Sequence, residues 1–413
     1  MNIRYLVGDV FTRMAELEDD SVDLVLTSPP FLALRSYLPA DHPDKSKEIG
    51  SEATPAEYID VLLRLTAEWR RLLTPHGSLV VELGDTFSGS GGAGGDYADG
   101  GWRETQPAYR QGFDRGDGRK TLQQEDYGAQ GVRNDGGPGW PLAKSLTLIP
   151  ESYRWALVYG FNPFHGPDHP SPAGQWRARN VIRWVRPNPP VGALGDKFRP
   201  ATSEMVVACV SKDRYFDLDA VRTAHTEPNA RKHKLKDHSG VNPSTGWETD
   251  NEWIEQNPAG APPLDWWKIS PKGYSGAHYA VWPSELCVKP IKAMCPVKVC
   301  RTCGEPSRRI VQTDHVPNRN TNGPQSIDRK WIEGGSAGYD VRADRVVLSE
   351  LWSDCGHDDY RAGMVLDPFA GTGTTLAVAH GHGRDAIGID IDEKGAELAR
   401  DRVGPLFLEI QYA

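Results

Sequence analysis

Met364-Val365-Leu366-Asp367-Pro368-Phe369-Ala370-Gly371-Thr372-Gly373-Thr374-Thr375 passes from an apolar strand through a glycine-rich turn into a helical pattern that runs to Ala379. Ala386 to Ile389 then reads as a second strand and ends at an acid, Asp390. A helix from about Glu393 to Val403 and a strand from Leu406 to Ile410 complete half of a doubly wound α/β sheet. Gly371 and Gly373 let a ligand approach the backbone, and a carboxylate at a strand tip can accept hydrogen bonds from ribose hydroxyls. The pattern therefore points to an adenosine-containing cofactor. A third glycine is missing, so the dinucleotide fingerprint is not met, and no Gly-Lys-Ser/Thr ending allows a nucleoside triphosphate loop. The competing reading is a purely structural turn.

The same alternation opens the chain. Ile3 to Val7 reads as a strand, a short helix follows Asp9, and Val22 to Leu26 is a buried strand that runs into Thr27-Ser28-Pro29-Pro30-Phe31. Two prolines stop the strand there. Thr54-Pro55-Ala56-Glu57 has the form of a capping box with proline at the first helical position. Tyr58, Val61, Leu62, Leu65, Trp69 and Leu72 recur at helical spacing behind it, the helix stops before Pro75-His76-Gly77, and Ser78 to Leu83 makes a strand. This strand-helix-strand order predicts a parallel sheet. Ser28 and Pro29 sit at the carboxyl end of a strand, where ligands of such sheets bind. An exocyclic amine offers two N–H donors, which Ser28 Oγ and the Pro29 carbonyl can accept while Phe31 stacks on the base. By itself the pentapeptide also fits a plain proline turn.

Between these blocks the composition changes. Residues 88–140 are rich in Gly, Asp, Arg and Gln and poor in aliphatics, which predicts a long mobile insertion. Leu146 to Phe161, Asn180 to Val185 and Ser203 to Val210 restore order, whereas residues 213–275 lack periodicity. Arg177, Arg179, Arg183, Arg186, Lys197 and Arg199 form one basic run and Arg231 through Lys236 a second, although the 413-residue chain carries a net charge of −9. Each run suits phosphate contact or a solvated face. With 38% apolar residues the chain can bury a large core. It starts on a strand rather than a leader, and no apolar run reaches the roughly 18 residues of a membrane helix. A cytoplasmic protein with no membrane partner is expected. Six cysteines at irregular spacing do not make a secreted disulfide framework. Cys300 and Cys303 form a knuckle, and with Cys355 and His357 they would complete a tetrahedral structural zinc site, although the intervening stretch of about 50 residues exceeds the usual ribbon spacing. Cys295 is a substitute ligand, and Cys209 and Cys287 read as core.

The two motifs together resemble the β class of bacterial and phage DNA amino-methyltransferases, in which the catalytic motif precedes the cofactor motif. The resemblance covers most of the chain and implies one α/β fold, a Rossmann-like, circularly permuted methyltransferase domain that binds S-adenosylmethionine (AdoMet). It implies that Ser28, Pro29, Pro30 and Phe31 are catalytic. It also implies that Asp9, Asp367, Pro368, Phe369, Gly371, Gly373, Thr374, Thr375 and Asp390 bind AdoMet. His278 to Pro283, leading into a helix beside AdoMet, and the strands near Asn180 to Pro190 and Glu204 to Lys212 resemble the family as well. The target base would be flipped out of double-stranded DNA, with direct methyl transfer, since no Pro-Cys nucleophile is present. Ser-Pro-Pro with an aromatic is more typical of cytosine N4 enzymes. Adenine N6 members usually carry Asn or an acid where Ser28 stands, and they are the alternative. A non-catalytic zinc-containing DNA-binding protein is the rival from another class. A restriction-modification role, with a cognate endonuclease as partner, would follow from the family.

The expected organisation is a catalytic half (1–87), the insertion (88–140), further catalytic-half strands (141–212), a target-recognition region (213–275), a cofactor-side helix (276–298), a zinc-binding insertion (299–358) and the AdoMet-binding half (359–413). Trp247, Trp253, Trp266 and Trp267 suit base stacking or surface packing in the recognition region.

Overall fold

In the first of two compact units, strands and helices follow the order β1 (Ile3–Val7), α1 (Val10–Ala15), β2 (Val22–Thr27), α2 (Pro55–Leu72), β3 (Leu73–Leu83), α3 (Ile149–Tyr159), β4 (Arg177–Val185), β5 (Thr202–Cys209), β6 (Trp266–Lys268), α4 (Ser284–Met294), β7 (Lys298–Cys300), β8 (Tyr360–Ala362), β9 (Met364–Asp367), α5 (Thr374–Gly381), β10 (Asp385–Asp390), α6 (Glu393–Val403) and β11 (Leu408–Gln411). The computed structural model describes residues 2–34, 37–38, 41–88, 138–189, 197–225, 232–233, 253–254, 257, 259–271, 282–317 and 343–412. Residues 89–137 of the expected insertion, Trp247, His278 to Val281, and the side chains of Trp253 and of the second basic run lie outside the described residues.

Nine strands form one sheet in the order β11-β1-β10-β9-β2-β3-β5-β4-β6. From β11 to β3 all neighbours are parallel, as expected. β5 departs from that expectation and runs antiparallel to both β3 and β4. The reason is connectivity: among the described residues no helix joins β4 to β5, and parallel neighbours need a crossover. The winding reverses between β9 and β2. From β9 the chain passes through α5 to β10 on one side, and from β2 through α2 to β3 on the other. Ligands of open α/β sheets bind in the crevice that such a reversal opens at the carboxyl ends of the strands.

Local chemistry explains the elements that flank this crevice. Thr54 caps α2 through a complete capping box with Glu57, and Pro55 occupies the first turn, where a missing N–H is harmless. Tyr58, Leu62, Leu65, Trp69 and Leu72 are buried along one face and join the main core beneath the sheet. Burial of each such side chain contributes about 1.5–3 kcal/mol before entropy is counted. β3 begins at Leu73, five residues earlier than the sequence suggested. The irregular register between Val22–Leu73 and Leu24–Ser78 absorbs Pro75 and Gly77 as a bulge.

The second unit consists of Leu218–Pro263 and Ser307–Cys355. Its principal element is an antiparallel pair, Arg309–Pro317 with Ala343–Trp352, and it also contains the short pair Lys232–His233 and Trp253–Ile254. Among the described residues no helix is long and apolar enough to cross a membrane.

Candidate active site

β2 and β9 are parallel neighbours, with Val25 opposite Leu366, so the two motifs end side by side. Thr27 Oγ1 donates to Asp367 Oδ1 (2.7 Å), Thr375 Oγ1 donates to Asp367 Oδ2 (2.6 Å), and the Phe369 N–H donates to Oδ1 (3.2 Å). Asp367 is 2% exposed, and burial pushes its carboxyl up to about 6 because every partner is neutral. It bolts the strand that carries Ser28 to the first turn of α5. Asp390, at the tip of β10, accepts from the Gly371 N–H (2.8 Å) and the Asp392 N–H (2.9 Å), and burial raises its carboxyl to about 7.

The turn itself needs its glycines. Gly371 (φ +49°) and Gly373 (φ +70°) lie in the left-handed region, and a Cβ on Gly373 would stand 2.7 Å from Ala399 Cβ. Tyr5 Oη donates to the Gly371 carbonyl (2.7 Å), which fixes the crest of the loop. Thr372, absent from the expected ligands, holds a buried hydroxyl without a hydrogen-bond partner among the described residues. Pro368 is buried, Phe369 packs on the core, and Thr374 Oγ1 accepts from Arg402. Asp9 caps α1 by accepting from Thr12 N (3.0 Å) and Oγ1 (2.9 Å), and the preceding Gly8 N–H donates to the Asp390 carbonyl (2.8 Å), which sets Asp9 beside the same strand tip. α4 lies alongside, with Cys287 Sγ 3.9 Å from Thr375 Oγ1.

On the other flank, Ser28 Oγ donates to Glu82 Oε2 (2.6 Å). Glu82 is 3% exposed on β3, and burial raises its pKa against the hydrogen bond from Ser28 and the charge of Arg186. With its proton committed to Glu82, Ser28 Oγ keeps its lone pairs for a donor. Tyr58 Oη takes the Pro30 carbonyl (2.7 Å), whereas no partner of the Pro29 carbonyl is found among the described residues. Phe31 packs against Gly84: a Cβ there would come within 2.6 Å of Phe31 Cε2. Glu82, Gly84 and Tyr58 were not singled out in the sequence. A lone carboxylate inside Leu79-Val80-Val81-Glu82-Leu83 was the available signal, because a charge in a buried strand must have a partner.

The sequence pattern of the DNA methylase family N6_N4_Mtase matches residues 22–298 and 359–401, most of the chain. This chain belongs to that family. The methylase is 22% identical over 405 residues to type II methyltransferase M.SmaI of Serratia marcescens, covering 97% of this chain and 90% of the relative. It is 24% identical over 399 residues to type II methyltransferase M.XycI of Xanthomonas campestris pv. cyanopsidis, covering 96% and 86%. Among solved structures it is similar to PvuII DNA methyltransferase (cytosine-N4-specific), with a TM-score of 0.48 and 12% identity over 97% of this chain and 86% of that one.

Two further features of the methylase depart from, or add to, the sequence reading. Its first basic run is not one patch. Arg177 and Arg179 stand at the start of β4 and Arg186 just beyond its end, about 23–30 Å away at about 3.3 Å per residue, with Lys197 and Arg199 on the loop that follows. Arg183, between them, pairs with Glu204 (2.6 Å). The ligand atoms of Cys300, Cys303, Cys355 and His357 all lie within 4.8 Å of one another, an arrangement that could hold a metal ion. Cys295 is not part of it and is buried at the end of α4, and Cys209 and Cys287 are buried as well.

Proposed function

We propose that the methylase transfers a methyl group from AdoMet to the N4 amine of a flipped cytosine in double-stranded DNA. The observation that carries this reading is the Ser28–Glu82 hydrogen bond, held on a strand that Asp367 ties to the glycine-rich turn. The unpartnered Thr372 hydroxyl, the left-handed glycines and the Asp390 carboxylate fit an adenosine group. When bound, AdoMet supplies an electrophilic methyl group on a cationic sulfur. Asp390 would receive the ribose hydroxyls, and the turn from Asp367 to Thr375 would line the remainder of the cofactor. Ser28 Oγ and the Pro29 carbonyl accept the two amine N–H groups, so that the nitrogen lone pair is turned out of conjugation with the ring. Phe31 stacks on the base. One amine proton passes to Ser28 Oγ and the Ser28 proton to Glu82, whose raised pKa suits it as acceptor, as the N–CH3 bond forms and the S–CH3 bond breaks with its electron pair left on the departing, now neutral, sulfur. A neutral serine where adenine N6 enzymes usually carry Asn or an acid supports cytosine, and adenine N6 is the alternative on the same geometry.

Sequence readout is assigned to the second unit, in which residues of 213–275 join the 307–355 segment. Both M.SmaI and M.XycI are named type II methyltransferases, which supports a restriction-modification role with a partner endonuclease. Cys300, Cys303, Cys355 and His357 are assigned to one structural zinc ion. Metal analysis of the purified protein is expected to give one zinc per chain. A Cys303→Ser protein with undiminished zinc would rule this assignment out.

The test is mass spectrometry of nucleosides from plasmid DNA incubated with isotopically labelled AdoMet. Labelled N4-methylcytosine is expected, reduced about 10²–10³-fold in Ser28→Ala as for loss of one oriented hydrogen-bonding group in a catalytic site. Labelled N6-methyladenine would overturn the base assignment. Label in free protein only, or none, would overturn DNA transfer.

A further inference from the structure

β4 runs parallel to β2 and β3 in the sheet, so the chain leaves β4 at the end of the sheet where Ser28 lies. Arg186 N donates to the Ala201 carbonyl (2.7 Å) and closes the base of the loop that returns to β5. Lys197, Phe198 and Arg199 stand in a row on that loop. Phe198 is 99% exposed, more than any other large apolar side chain among the described residues. Its neighbours are tethered. Lys197 Nζ sits 3.5 Å from the centroid of the Phe87 ring, three residues beyond the Gly84 that supports Phe31, and Arg199 donates to the Pro189 carbonyl. An exposed phenyl ring thus stands in the chain between two cations whose side chains are anchored elsewhere.

A single exposed apolar residue is ordinary. Here the position and the flanking charges give it meaning. β4 lies three strand positions from β2 in the sheet order, about 14 Å at the usual spacing. Lys197 rests on Phe87, four residues past the end of β3, the strand next to β2, so the loop stands at the same end of the sheet as Ser28, and one duplex can deliver a base to Ser28 and present its stack to this loop. Extrusion of a base leaves a gap between neighbouring pairs and costs stacking energy. An aromatic ring can restore the stacking whatever the sequence, and apolar side chains entering between base steps are a recurrent device.

We infer that Phe198 enters the duplex in the place of the extruded base, with Lys197 and Arg199 on the phosphates to either side. The inference rests on the DNA-transfer reading above. It needs a substrate whose base can be freed in advance. Once the methylated site is mapped on plasmid DNA, two duplexes of that site are compared, one with the target base normally paired and one with it opposite a mismatch. Phe198→Ala is expected to lower kcat/KM on the paired duplex tenfold or more and on the mismatched duplex less than about twofold. Phe198→Trp should restore the paired rate, and AdoMet affinity should be unchanged in both variants. Equal loss on both duplexes, or no loss on either, overturns the wedge while the transfer reading stands. If wild type labels neither duplex nor plasmid, the transfer reading falls, and the wedge with it.

Discussion

Two buried carboxylates, Asp23 at the start of β2 and Asp367 beside its end, sit in opposite electrostatic surroundings. Burial alone would raise Asp23, but hydrogen bonds from His76 Nε2 (2.8 Å) and from both terminal nitrogens of Arg361 (2.6 and 3.1 Å), with the Arg361 charge, hold it below the usual carboxylate range. The Met364 N–H adds a fourth contact (2.7 Å). Asp367 has neutral donors only and is pushed up, as is Asp390 nearby. One end of the strand therefore has its negative charge matched by protein, and the other leaves it unmatched. A cationic sulfonium ligand would supply the missing charge. The two ends of a single six-residue strand thus differ in charge balance, and carboxylates left without a cation are what a cation-binding site is expected to show.

The largest expected effect breaks the matched end. Asp23→Asn leaves the largely buried Arg361 without its counter-ion and should destabilise the protein by about 3–5 kcal/mol in urea unfolding at neutral pH. Because the folded pKa of Asp23 is lowered, its contribution is complete above the unfolded value, about 3.9, and disappears as pH falls through the folded one. Wild type and variant should therefore converge in acid. A gap that persists there would mean that packing, not charge, is what Asn disturbs.

At the unmatched end the effect is on the ligand. If Asp390 must be ionised to receive ribose, AdoMet affinity should weaken by about tenfold per pH unit below about 7. Calorimetry in buffers of different ionisation enthalpy should show proton release on binding at pH 6 to 7. Asp390→Asn should bind weakly with a flat pH profile, and a wild-type profile that is already flat would remove the carboxylate from the cofactor's recognition. The smallest effect tests the bolt. Thr27→Val removes one buried hydrogen bond, about 0.5–1.5 kcal/mol, and should appear as a several-fold loss in kcat together with weaker AdoMet binding, both restored by Thr27→Ser. Loss of thermal stability with unchanged kcat and AdoMet affinity would make Thr27 a core residue only.

Much of this could be read in advance where the code is local. The capping box at Thr54, the strand Ile3–Val7 and the helix Glu393–Val403 follow from turn chemistry and periodicity within a dozen residues. The direction of β5 and the division of the basic run between two ends of β4 did not follow, because a strand's partners and its span in space are not written in its own composition. The partner of Ser28 lies 54 residues away and that of Thr27 340. Gly84 likewise has no local signal: what it permits is the ring of Phe31, brought in by another strand.

The pairing of β1 carries a consequence for biosynthesis. β1 lies between β10 and β11, which are synthesised long after it. At about 5–20 residues per second, translation leaves β1 without neighbours, and Thr27 without Asp367, for on the order of tens of seconds. A nascent chain thus carries Ser28 long before it carries Asp367 and the glycine-rich turn, and fragments released by interrupted synthesis are expected to lack the completed site.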